Sequence, residues 1–127
     1  MPFQSLEITG PDSVRERREF PLGLFEVFDV AGRVFGRAVY RPGWRWSQHV
    51  GAATGEEWCP VEHVGYVVAG RAGVRMQDGT EAEMSAGDWF SIPPGHDSWV
   101  LGDEDYVSLH ILGAGTYALG PAADSEA

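Results

Sequence analysis

The stretch EEWCPVEHVGYVVAGRAGV, from Glu56 to Val74, holds the chain's one cysteine, Cys59, and one of its four histidines, His63. Thiolate and imidazole are ligands that first-row transition metals prefer, and a carboxylate can join them. Side chains two residues apart share one face of an extended chain. If this stretch is extended, Glu57, Cys59 and His63 point together, followed by Val67; Pro60 is the residue able to shift that register. The same parity groups Arg45, Ser47 and His49 in the run before. It groups His96 with Ser98 after a Pro-Pro-Gly bend, and Tyr106, Ser108 and His110 near the end. A metal needs three or four such groups converging from different strands. His49, Cys59, His63 and His96 are the candidate ligands, with Glu57 in reserve. Tyr106, Ser108, His110, Ser98 and Val67 are candidate pocket walls, and the first three include a candidate general base.

Each residue also has a plainer explanation. A lone cysteine is most often a small buried hydrophobe. A histidine in an apolar run such as SLHIL is often a core residue with its nitrogens satisfied. Glu57, beside Glu56, is placed to be solvated, and His49 ends its run. Parity shows that convergence is allowed, not that it occurs.

The elements that must position these groups read as strands. Short apolar or alternating runs are bounded by Gly, Pro and Asp. LFEVFDV (Leu24 to Val30), VFGRAVY (Val34 to Tyr40) and WRWSQHV (Trp44 to Val50) are three of them. HVGYVVAG, RAGVRMQ, EAEMSA, GDWFSI, HDSWVLG and YVSLHILG follow. Asp78-Gly79 is a hairpin signal, and Asp88 is placed to anchor a turn through its side chain. A short helix near Ser13 to Arg18 is the one helical expectation, and it is too short to stand alone. Nine or ten evenly spaced strands predict an all-β sandwich or barrel, whose closure also covers strand edges.

Composition narrows the partners. The formal charge is -10, from nineteen acidic residues against nine arginines and no lysine. Such a field repels phosphate backbones, so nucleic acid is not expected. The basic run RERRE, Arg15 to Glu19, reads as a solvated edge. No apolar run approaches membrane-spanning length, and MPFQSLEITG lacks a secretory pattern. One cysteine allows no disulfide within the chain, which suits a reducing, cytoplasmic setting. The length of 127 residues fits one domain, residues 1–127, with a barrel core over about residues 34–113 and a loose acidic tail at 119–127.

Two blocks resemble the cupin superfamily. In the first, GYVVAG looks like the family's Tyr-Val-Leu-x-Gly strand. Glu57, Cys59 and His63 then stand at the three ligand positions, and Gly70 closes the block. In the second, GDWFSIPPGHDSW, Gly87 is followed by five residues, Pro93, one residue and Gly95. Ser98 occupies the position of the usual histidine, and His96 lies between it and the glycine. The resemblance implies a cupin-type double-stranded β-helix, a jelly-roll barrel with little helix. It implies a homodimer too, with residues 1–30 supplying N-terminal strands and a dimer arm. The ligand types depart from the family's three-histidine, one-glutamate set, so no specific reaction carries over.

Three functions follow. The first is a metal-binding cupin that binds or transforms a small molecule inside the barrel. Its divalent transition metal would be zinc, iron or copper before magnesium or calcium, because a thiolate is present. As an enzyme it would be a metal-dependent oxidoreductase of the dioxygenase kind, or an isomerase. The second is a non-catalytic small-molecule sensor, and the third is a metal-free binding barrel.

Overall fold

A computed structural model of the protein describes residues 5–118; the acidic tail expected to be loose, 119–127, lies outside the described residues. Nine strands and two one-turn helices follow the order β1 (Glu16–Phe20), β2 (Gly23–Val30), β3 (Arg33–Tyr40), α1 (Trp46–His49), α2 (Gly51–Thr54), β4 (His63–Ala69), β5 (Arg71–Met76), β6 (Glu81–Ser85), β7 (Trp89–Ile92), β8 (His96–Leu101) and β9 (Tyr106–Leu112). They form a six-stranded sheet, β1-β2-β3-β9-β4-β7, and a three-stranded sheet, β6-β5-β8. Every pairing is antiparallel. Period-2 burial marks the two six-stranded-sheet elements that carry the site. Along β4, His63, Gly65 and Val67 face in, and along β9 Tyr106, Ser108 and His110 do the same. The core lies between the sheets, with Phe25, Ala38, Tyr40 and Val67 from one and Ala72 and Val100 from the other.

Two glycines matter to the site. β4 and β9 approach so closely at Gly65 that a Cβ there would lie 2.0 Å from the Leu109 carbonyl oxygen. This lets His63 and His110 sit on adjoining strands. Gly95 takes a φ of 91°, which turns the rigid Pro93-Pro94 pair into β8. The backbones of Cys59 and His96 then bridge, Cys59 N–H donating to the His96 carbonyl and Gly95 N–H to that of Cys59, both at 2.8 Å.

Two expected elements differ. The short helix at Ser13 to Arg18 is replaced by β1, which pairs with β2 from Glu16↔Val27 to Phe20↔Gly23. The expected strand Trp44 to Val50 is instead α1 leading into α2. Trp46 and Val50, four residues apart, are both buried, which is helical spacing. The cap comes from far along the chain: Asp97 accepts from the Ser47 N–H and hydroxyl, both at 2.9 Å, and from Arg45 Nε at 3.0 Å.

The basic run of β1 is not wholly solvated either. Arg18 is buried, held by the Glu16 carboxylate at 2.8 and 2.9 Å. It donates to the carbonyls of Ala114, Gly115 and Tyr117. One guanidinium therefore satisfies a carbonyl-rich segment just after β9 and fixes Tyr117 over the interior.

Candidate metal centre

Cys59, His63 and His96 are all buried, and one ligand atom from each lies within 4.8 Å of the others. Three local features bring them together. The Cys59–His96 bridge joins the loop before β4 to the start of β8. β4 turns His63 inward four residues after Cys59, leaving Sγ and Nε2 3.7 Å apart. His96 Nδ1 lies 2.7 Å from the Pro93 carbonyl, so it carries the proton and Nε2 is left bare.

The electrostatics follow from burial. Burial pushes the Cys59 thiol up to about 12. It holds the His63 ring well below its ordinary value, with His110 and His96 adding to the effect. His96 is also lowered, chiefly by burial, and His110 falls to about 3, chiefly by burial and then through His96. At neutral pH the rings are neutral, the form that ligates a metal. The Cys59–His63 pair has the spacing of transition-metal donors: a tetrahedral ion with ordinary Zn–S and Zn–N bonds would hold sulfur and nitrogen roughly 3.6 Å apart, close to the 3.7 Å observed. The His63 Nδ1 is buried without a partner, as is that of His110.

The other candidate residues are placed as follows. His49 is not brought to this group. Because residues 46–49 are helical, its ring folds back on its own first turn, with Nδ1 2.9 Å from the Arg45 N–H. Glu57 is exposed, since the chain bends at Glu57 and Trp58 and the extended parity begins only later. Ser98, Tyr106, Ser108 and His110 line a cavity of about 30 Å³ beside His63 and His96. The Ser108 hydroxyl lies 3.1 Å from His110 Nε2, and burial pushes Tyr106 up to about 12. Val67 is fully buried in the core and does not line the cavity.

Three contributors carry no ligand signal in the sequence. Tyr117 sits edge-on to His63 at 4.7 Å and stacks on His110, and its hydroxyl is 2.7 Å from that of Tyr40. Trp44 stacks on Tyr40 at 3.8 Å and closes the same wall. Asp97, next to His96, also accepts from the Ser98 N–H at 2.9 Å, so four donors converge on one carboxylate. Bonds of this kind to a charged group contribute about 1.5–3 kcal/mol each before non-additivity. Asp97→Ala is therefore expected to destabilise the protein by about 2–4 kcal/mol, read as the urea midpoint at unchanged slope. A loss within about 0.5 kcal/mol, the range of an ordinary surface change, would remove Asp97 as the anchor of α1.

The fold is similar to several solved structures. An oxalate decarboxylase of Lactobacillus farciminis, as a formate complex, is 22% identical with a TM-score of 0.59, over 80% of this chain and 31% of that one. An oxalate decarboxylase of Bacillus subtilis with Mn(II) centers is also 22% identical, TM-score 0.56, over 84% of this chain and 30% of that one. A protein of unknown function (DUF1255) from Acinetobacter sp. ADP1 is 14% identical, TM-score 0.53, over 86% of this chain and 90% of that one. This chain thus spans about a third of the length of the two decarboxylases. No family model matches the chain, and no curated protein matches it by sequence. The fold is a small cupin fold. Within it a buried Cys/His/His group is able to hold a metal. Among the described residues no helix is long and apolar enough to cross a membrane.

Proposed function

We propose that this protein is a metal-dependent cupin that binds or transforms a small molecule in its barrel, with Cys59, His63 and His96 holding a divalent transition metal. The observation that carries this reading is the meeting of three buried ligand atoms within 4.8 Å. Mixed thiolate and imidazole donors favour zinc, iron or copper over magnesium or calcium. Three protein ligands leave a position open, where a bound metal would polarise an oxygen of water or ligand. Around it the chain supplies the Ser98, Tyr106 and Ser108 hydroxyls and the neutral His110 ring. Their task is to orient a ligand and to hold or pass a proton at Ser108 Oγ or His110 Nε2.

Metal analysis of untagged protein tests this, with about one equivalent of a transition metal expected for a site of this kind. Occupancy below about a tenth of an equivalent, even after reconstitution, would sink it. A metal-free barrel is the second reading. It is favoured by the high Cys59 pKa, since a protonated thiol 3.7 Å from His63 Nε2 makes a weak packing contact. Pairing of two copies, in a cytoplasmic setting, belongs to the first reading. Exposed Val68, Leu109 and Ile111 support it, and sedimentation would read it directly.

A further inference from the structure

The cavity beside His63 and His96, about 30 Å³, has room for little more than water. A second, much larger space adjoins it. β6 ends one sheet and β7 ends the other, and the chain crosses between them through Ala86 and Gly87. The two unpaired edges leave a cleft of about 450 Å³, within the range of small-molecule sites. Met84, Phe90 and Ile92 line both the cleft and the inner cavity. They are a partition one side chain thick. Met84 is its pliable member: half-buried, unbranched, and tied only by a weak bond of 3.8 Å from the Tyr106 hydroxyl to Sδ.

The walls of the cleft set the class of ligand. Val74, Met76, Ala82 and Trp89 make it apolar, and the charged residues of its lining are Glu81, Glu83 and Asp88, the first two facing Arg75 and Arg71 of β5 at 3.9 and 3.7 Å. Among the described residues no arginine lines the cleft or the inner cavity. Before reaching the metal centre, an anion in this passage would find no arginine in its lining and would pass the Asp88 carboxylate at the rim. Trp89 lines the cleft and is 72% exposed, its ring tilted against Tyr66 at 4.6 Å, so apolar surface stands open at the mouth.

We infer that the β6/β7 cleft admits an uncharged, apolar, aromatic-sized molecule bearing one oxygen donor, whose body rests in the cleft while the oxygen reaches Cys59, His63 and His96 past Met84. This rests on the metal-centre reading for the last step only. The probes are 1-naphthol and its anionic isostere naphthalene-1-sulfonate. Each is titrated into the full-length protein as purified and after loading with Co²⁺. Wild type should bind one naphthol per chain at least about tenfold more tightly than the sulfonate. Ala82→Trp, at an exposed edge position facing the cleft, should weaken naphthol at least about tenfold with its melting temperature held. In the Co²⁺ protein, naphthol should shift the visible metal bands. No naphthol binding, equal affinity for the sulfonate, or indifference to Ala82→Trp would overturn the cleft. Cobalt bands that form but do not respond would overturn the passage to the centre. If no cobalt bands form, the metal-centre reading fails while the naphthol titrations still decide the cleft.

Discussion

Replacing Cys59 by serine should lower the affinity for Zn²⁺ by at least about a hundredfold, because structural zinc binding of about 10–16 kcal/mol is shared among a few ligands. His63→Ala should cost a similar factor. The reason is local: Sγ and His63 Nε2 already stand 3.7 Å apart, and His96 offers a bare Nε2 because Pro93 holds its other nitrogen. The affinity should also climb with pH. Burial holds the thiol near 12, so binding must displace its proton, and each proton released gives about tenfold per pH unit. Competition against a chromophoric chelator measures both effects. If Cys59→Ser and His63→Ala each bind zinc as well as wild type, these residues are not the ligands.

The second large effect is acid sensitivity of the metal-free protein. His63, His96 and His110 all have folded-state pKa values below the ordinary one. Above about pH 6.5 they are neutral in both states and contribute no pH dependence. Below it the unfolded chain takes up protons that the folded chain refuses. Stability then falls with acid by about 1.4 kcal/mol per pH unit for each ring. For His110 this continues toward its folded value of about 3. His63 and His110 together reach about 3 kcal/mol per pH unit, with His96 adding to this until its own folded value is passed, against a usual total of about 5–15 kcal/mol. Unfolding is expected well before pH 3, and bound metal should move the transition to lower pH. Urea titrations at pH 7, 6 and 5 would show it, with His110→Phe flattening the slope by about 1.4 kcal/mol per unit. A flat stability between pH 7 and 5 would contradict the buried, neutral rings.

The sequence carried the frame of this site better than its surroundings. Alternation along His63–Val67 and Tyr106–His110 set which side chains face in, and Gly87, Pro93 and Gly95 marked the turn that delivers His96. These are short-range signals, each settled by its own neighbours. Residues 44–50 alternate well enough to suggest a strand, but Asp97, fifty residues away, caps them as a helix and takes His49 out of reach. Glu57 left the group because two bends interrupt the extended chain before Cys59. Tyr117 had no local signal, since its place depends on Arg18 and Tyr40. The cleft between β6 and β7 depends on which strands end the two sheets, a property of topology that no single run encodes.

The grip of Arg18 on residues 114–117 also bears on the order of assembly. Its contacts join groups 96 to 99 positions apart, among the longest chain closures in the described protein. The entropy of closing such a loop must be met before the contact returns anything. By loop closure alone, the β4–β9 framework around His63 and His110 is expected to form ahead of the Arg18 contacts that seat Tyr117. In that order the three ligand side chains would meet in a barrel still open on that side, with the centre accessible to an incoming ion before its roof is in place.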